Sequence, residues 1–473
     1  MDFKPELMVL GDSLSQGCRS LSVTSKYCRE SWGARIAASQ DWRFDTPDHP
    51  RPVLFDLERI VRRFNLVLGP IIPLIAGVRV LKGIEKNANA WRDDLAQKQV
   101  RSSFETFSNL GVAGAVIPEL YEMTYASARD RAFELMANRD LSDLSDLTPV
   151  IGELHRVLNY AFVLNPAHKT NLQHLTPLDW VARRKPTRLM IQTGHNHGLW
   201  DAGFTANYKL VSYAKLRDQA GIEEMAERLA RLPAGVEQIV YFLLPKVGAV
   251  ANLIPKGDLE DGYYDEYAPA LVPVPEVQTR VEMASIDASV QKTNQEIRER
   301  FTEIFNQVKP NNAKRLTFVD TYQVFDRYDY KNSRNPAAKV RVSGKGITNE
   351  RLDGKSRYSG PPSKRISMGV DLYRGGFQSF DGMHPSGVGY ALLASEVMDK
   401  LDLPHDRGSI LKRAFKDDKL LSNYPQQSEA IYGIVNLIQM LRRGGSDEKP
   451  EKARGEVDFE DLMEICGAPY CKR

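Results

Sequence analysis

The chain is poor in the features that mark several protein classes. Four cysteines in 473 residues are too few to frame a disulfide scaffold, and their two local pairs, Cys18 with Cys28 and Cys466 with Cys471, match no zinc spacing. They read as reduced thiols, with a bridge in an oxidising compartment as the alternative for either pair. The longest apolar run, Leu66 to Val78, has 13 residues and is interrupted by Gly69, Pro70, Pro73 and Gly77, so it is too short and too broken to span a bilayer. Charge of one sign is lacking as well. Lys+Arg minus Asp+Glu is 64 − 61 = +3, which makes neither nucleic acid nor an anionic membrane an obligatory partner. No basic start followed by an apolar segment precedes the first apolar run, so no secretory signal is visible, and a cytosolic location is favoured unless the numbering starts after processing. Internal repeats are absent.

Short apolar runs, by contrast, recur along the chain. Met8 to Leu10, Phe107 to Val112, Leu189 to Gln192, Ile239 to Leu244 and Leu316 to Val319 read as strands. Amphipathic stretches such as Glu223 to Leu232 and Ser285 to Val308 lie between them, and Tyr390 to Leu401 follows the last. This alternation predicts a parallel sheet covered on both faces, with ligands bound at the carboxyl ends of the strands. The predicted catalytic domain runs over 1–402, with insertions at about 41–100 and 250–375. A helical extension with a charged linker follows over 403–473.

The motif that carries chemistry comes first in the chain. Gly11-Asp12-Ser13-Leu14 follows a buried-strand pattern directly, and Gly11 suits a sharp strand-to-helix turn that would leave Ser13 at the end of the sheet. A serine nucleophile needs a base, an orienting carboxylate and donors for an oxyanion. The stretch FDGMHPSG offers Asp381 and His384 three residues apart, close enough on one turn for the carboxylate to hold Nδ1 and leave Nε2 for the serine proton.

Four stretches in order, GDSL at 11–14, NLGVAG at 109–114, GHN at 194–196 and DGMHPS at 381–386, resemble the four blocks of the SGNH/GDSL hydrolases. The resemblance spans residue 7 to about 401. It implies a flavodoxin-like three-layer α/β/α sandwich, hydrolysis of carboxylic esters through a serine acyl-enzyme, and no metal or organic cofactor. Carried over by position, Ser13 is the nucleophile and Asp381 and His384 complete its triad. The N–H groups of Ser13 and Gly114 and the side-chain amide of Asn196 form the oxyanion hole. Gly114 is preferred to Gly111 because it follows the small Ala113. The third block departs from the family's Gly-x-Asn-Asp, with His197 in the last position, which puts the bracing of that loop in question.

The implied substrate is a small-molecule or lipid ester of the lipase, phospholipase or acylesterase type. A carbohydrate O-acetylesterase, with an open groove rich in exposed aromatics, is the alternative. A non-catalytic binding module on the same fold is disfavoured because every catalytic residue type is present. His195 and His197 flank Asn196, but with no carboxylate or cysteine beside them in sequence they read as packing histidines, not as metal ligands. Leu66 to Val78 reads as a buried hairpin-like insertion or short core helix, with a lid in peripheral contact with lipid as the alternative. Arg327 to Arg365 carries 11 Lys/Arg against 3 Asp/Glu, a local net of 11 − 3 = +8, and reads as a solvated, loop-rich insertion.

Overall fold

In the computed structural model the described residues are 4–59, 71–97, 104–137, 150–269, 277–329, 377–379 and 381–418, with 102, 139, 331, 340–342 and 345–347 between them. The strands that position the site are, in chain order, β1 (Leu7–Gly11), β2 (Asn109–Gly111), β3 (Arg188–Gln192), β4 (Gln238–Phe242), β5 (Leu253–Glu260), β6 (Tyr263–Pro269), β7 (Gln278–Thr279) and β8 (Leu316–Val319). Five of them form one sheet in the order β2-β1-β3-β4-β8, and every neighbouring pair is parallel. Counting those five alone, the order is 2-1-3-4-5, the flavodoxin-like arrangement, with its switch point between β1 and β3.

A parallel sheet needs cover on both faces, and the side chains of β1 divide accordingly. Leu7 and Val9 join Met190, Val240 and Phe242 in a core closed by Trp32, Ile36 and the buried side of the helix Gly387–Lys400. Met8 and Leu10 point the other way, with Leu189, Ile191 and Tyr241. They meet the helices Ile151–Leu164, Ile222–Ala230 and Arg280–Val308. The fold is a three-layer α/β/α sandwich.

The insertions add structure that simple alternation does not suggest. β5, β6 and β7 form a separate antiparallel sheet. It leads directly into the helix Arg280–Val308, whose start is fixed by a capping box between Thr279 and Glu282. Ile71–Gln97 is a single helix of 27 residues. Residues 71–78 of the apolar run belong to this helix, so that part is neither a hairpin nor a short helix. Ile84, Ala88, Trp91 and Leu95 form its buried stripe. Residues 60–70 and the side chains of 71–81 lie outside the described residues, and the expectation of lipid contact at Leu66 to Val78 with them. Most of the basic stretch 327–365, and everything after residue 418 including Cys466 and Cys471, also lies outside. The extension begins with the helix Arg407–Asp418, whose Leu411 and Ala414 pack on the main core. Among the described residues no helix is long and apolar enough to cross a membrane.

Candidate active site

β1 ends where it must turn sharply. Gly11 has φ +131°, and a Cβ there would stand 1.9 Å from the Gln192 carbonyl of β3, so only glycine fits. Asp12 then caps the short helix Ser13–Gln16 by accepting from Leu14 N at 3.1 Å. Ser13 is the first helical residue and is 9% exposed.

Asp381 and His384 come from the loop that feeds the helix Gly387–Lys400, whose N-cap is Ser386. Asp381 Oδ2 and His384 Nδ1 are 2.6 Å apart, and both residues are buried. The carboxylate is held on every side. Its Oδ1 accepts from Met383 N and His384 N, each at 2.9 Å, and from Ser379 Oγ at 3.2 Å. Oδ2 accepts from Leu21 N at 2.9 Å. That last bond reaches back to a strained segment: Ser20 and Leu21 both sit in the left-handed region, at φ 50° and 57°, and Ser20 N donates to Ser379 Oγ.

Burial works to raise the Asp381 carboxyl pKa, but the His384 charge and the donated hydrogen bonds outweigh it and hold it below the usual carboxylate range. Burial works to lower the His384 pKa, yet the Cys18 sulfur and the Asp381 carboxylate that face the ring prevail, and it lies well above its ordinary value. Cys18 and Cys28 are both buried free thiols.

Ser13, Asn196 and His384 line one cavity of about 50 Å³, together with His195 and an apolar wall that includes Leu199, Trp200, Val247 and Val250. The Trp200 ring lies 5.6 Å from that of His384 and stacks on Phe204. Three segments far apart in sequence are thus brought to one place. Gly114 stands outside the lining, in the left-handed region at φ 84°, one residue from Ala115. The link is direct, because Asn196 Nδ2 donates to the Ala115 carbonyl at 2.8 Å and keeps its second N–H. His197 Nε2 accepts from Ile117 N at 3.2 Å, so the residue that departs from the family pattern ties the third block to the second. Burial lowers its pKa, which keeps the ring in the neutral form that this bond requires.

Other supports are invisible in the sequence. Gln16 Oε1 accepts from Ala113 N at 2.9 Å and from Asn159 Nδ2 at 2.8 Å, bracing the turn that carries Gly114. Asp287 accepts from Val247 N and Gly248 N in the cavity wall, and burial raises its pKa to about 6. Asp12 Oδ2 lies 2.5 Å from His195 Nδ1, across 183 positions. Only a spacing as short as that of Asp381 and His384 could have announced such pairs.

The model of the GDSL-like lipase/acylhydrolase family matches residues 7–397, most of the chain. The protein belongs to that family. As a GDSL-like lipase/acylhydrolase family member it is a hydrolase of the ester type. No curated protein and no solved structure matches the chain.

Proposed function

We propose that this family member hydrolyses carboxylic esters through an acyl-enzyme on Ser13. The observation that carries the reading is the shared cavity, with Ser13 from the end of β1, Asn196 from the loop after β3, and His384 backed by Asp381. Asp381 Oδ2 accepts the Nδ1 proton and leaves Nε2 of His384 to take the Ser13 proton as Oγ attacks the carbonyl carbon. The carbonyl oxygen, now carrying the charge, is met by the N–H groups of Ser13 and Gly114 and the side-chain amide of Asn196. When the tetrahedral adduct collapses, the bond to the alcohol oxygen breaks and the proton on Nε2 goes to the leaving alcohol. A water then gives its proton to Nε2 and its oxygen to the acyl carbon. The bond from the acyl carbon to Ser13 Oγ then breaks, the proton on Nε2 returns to Oγ, and the acid departs.

The raised pKa of His384 fits this cycle at the step where the imidazolium must hold a proton, and requires the resting enzyme to work from the deprotonated fraction. The wall formed by Leu199, Trp200, Val247 and Val250 is apolar, which favours an uncharged, hydrocarbon acyl group. Among the described residues Tyr208 is the only strongly exposed aromatic, which supports a small-ester acylesterase over a carbohydrate groove. The test is labelling by a fluorophosphonate together with turnover of p-nitrophenyl acetate. Wild type is expected to label at Ser13 and to turn over, and Ser13→Ala to do neither, with a loss on the order of a millionfold in kcat by serine-protease precedent. Near-normal turnover by Ser13→Ala would sink the assignment.

A further inference from the structure

We infer that Asp12 and His195 form a second carboxylate–imidazole pair that positions Asn196 against Ser13, an inference that rests on the hydrolase reading above. Asp12 directly precedes the serine, and His195 directly precedes the asparagine. Their side chains meet at 2.5 Å, so one contact couples the two residues that must face the same substrate oxygen.

The chemistry of the pair explains its placement. Asp12 is fully buried, and a buried carboxylate must be hydrogen-bonded or paired. Oδ1 takes the N–H of Leu14, and Oδ2 is left for His195. Asp12 is also fixed to β3 through its own N–H, which donates to Gln192 O at 3.0 Å. The carboxylate is therefore a rigid post on the nucleophile's turn. On the other side, His195 Nε2 is buried and has no hydrogen-bond partner, so the Nδ1 bond to Asp12 orients the ring. A ring anchored in this way at Nδ1 holds the loop that carries Asn196.

Asn196 is thereby anchored at two points: through its neighbour His195 to Asp12, and through its own Nδ2 to the Ala115 carbonyl. An amide fixed before substrate arrives stabilises developing charge without reorganising, which raises the rate of the chemical step more than it tightens ground-state binding.

Asp12→Ser is the sharpest perturbation, since serine keeps a good N-cap for Leu14 N but is too short to reach His195. The expected result is a fall in kcat of about tenfold to a hundredfold with KM changed less than about threefold. His195→Ala should match it, and the double variant should be no worse than either single, because both remove one contact. His195→Gln, whose amide can still donate to Asp12, should recover kcat to within about fivefold of wild type. The affinity of an alkylboronic acid, which forms a tetrahedral adduct with the serine, should fall by the same factor as kcat in each variant.

A loss confined to KM, additive single effects, or unchanged kcat and boronate binding in Asp12→Ser would overturn the inference. If the truncations fail to fold, His195→Gln decides: turnover and boronate binding both reduced more than about fivefold in the folded variant overturn it, and near-wild-type values in both uphold it. The two layers separate cleanly. A catalytically normal Ser13→Ala refutes the hydrolase reading, whereas a normal Asp12→Ser beside a dead Ser13→Ala refutes only the positioning pair.

Discussion

Replacing Asp381 by asparagine changes one atom, and the hydrogen bonds around the carboxylate determine what that atom does. Oδ1 receives three donors, from Met383 N, His384 N and Ser379 Oγ, so the asparagine oxygen takes that side. The new NH2 then replaces Oδ2 and confronts two donors, Leu21 N and His384 Nδ1. The imidazole can satisfy it only by moving its proton to Nε2, which removes the base that the proposed mechanism assigns to Ser13. The loss expected from serine-protease precedent is as much as about ten-thousandfold in kcat, equivalent to about 5.5 kcal/mol of transition-state stabilisation. Leu21 N–H has no such escape. Its orphaned donor costs about 1 to 3 kcal/mol, and the left-handed pair Ser20 and Leu21 loses one of its clamps, so folding stability should fall by about 2 to 4 kcal/mol in all. The stability difference also depends on pH with a definite sign. Asp381 is depressed in the folded state, so its contribution is present above the unfolded carboxyl pKa of about 3.9 and is lost as pH falls through the lower folded value. Urea unfolding at pH 7 and in acid, run beside the pH profile of ester hydrolysis, measures both effects. An asparagine variant with full activity, or with wild-type stability at pH 7, would refute the reasoning.

Asn196→Ala should lower kcat by about a hundredfold to a thousandfold with a smaller change in KM, since the amide meets charge that develops after binding; steady-state kinetics showing a change in KM alone would make the side chain a substrate contact. Because the Asp381 carboxylate facing the ring raises the His384 pKa and only the neutral ring can act as base, kcat/KM should rise with pH through a midpoint above 6.5. A wild-type midpoint below 6 would refute this reading of the pair.

The five core strands were legible because a sheet buried on both faces demands continuous apolar runs, and LMVL or QIVYF admit little else. β5 and β6 were not, because LIPKGDLE and YYDEYAP mix proline, glycine and charge. Their pairing is settled by each other and by the helix Arg280–Val308, not by their own pattern. The same divide runs through the site. Asp381 and His384 are three residues apart and announce themselves, whereas Asp12 with His195, and Gln16 with Asn159, are contacts that only the folded sheet creates. His197 shows the limit of reading by family pattern: its identity departs from the expected aspartate, yet its ring ties the third block to the second, at Ile117 N.

The bond from Leu21 N to Asp381 Oδ2 spans 360 positions and has a consequence for the protein's synthesis. In the proposed mechanism Ser13 is served by a base, His384, that is synthesised 384 − 13 = 371 residues after it. At typical elongation rates of about 5 to 20 residues per second, that is an interval of roughly 20 to 75 s. Throughout it the nascent chain carries the proposed nucleophile without its proposed base and carboxylate, and for about the first half of it β1 waits for β3 as a neighbour on the switch-point side. On the proposed assignment, hydrolysis is tied to completion of the sandwich, and a product interrupted before residue 381 is expected to be inert toward p-nitrophenyl acetate.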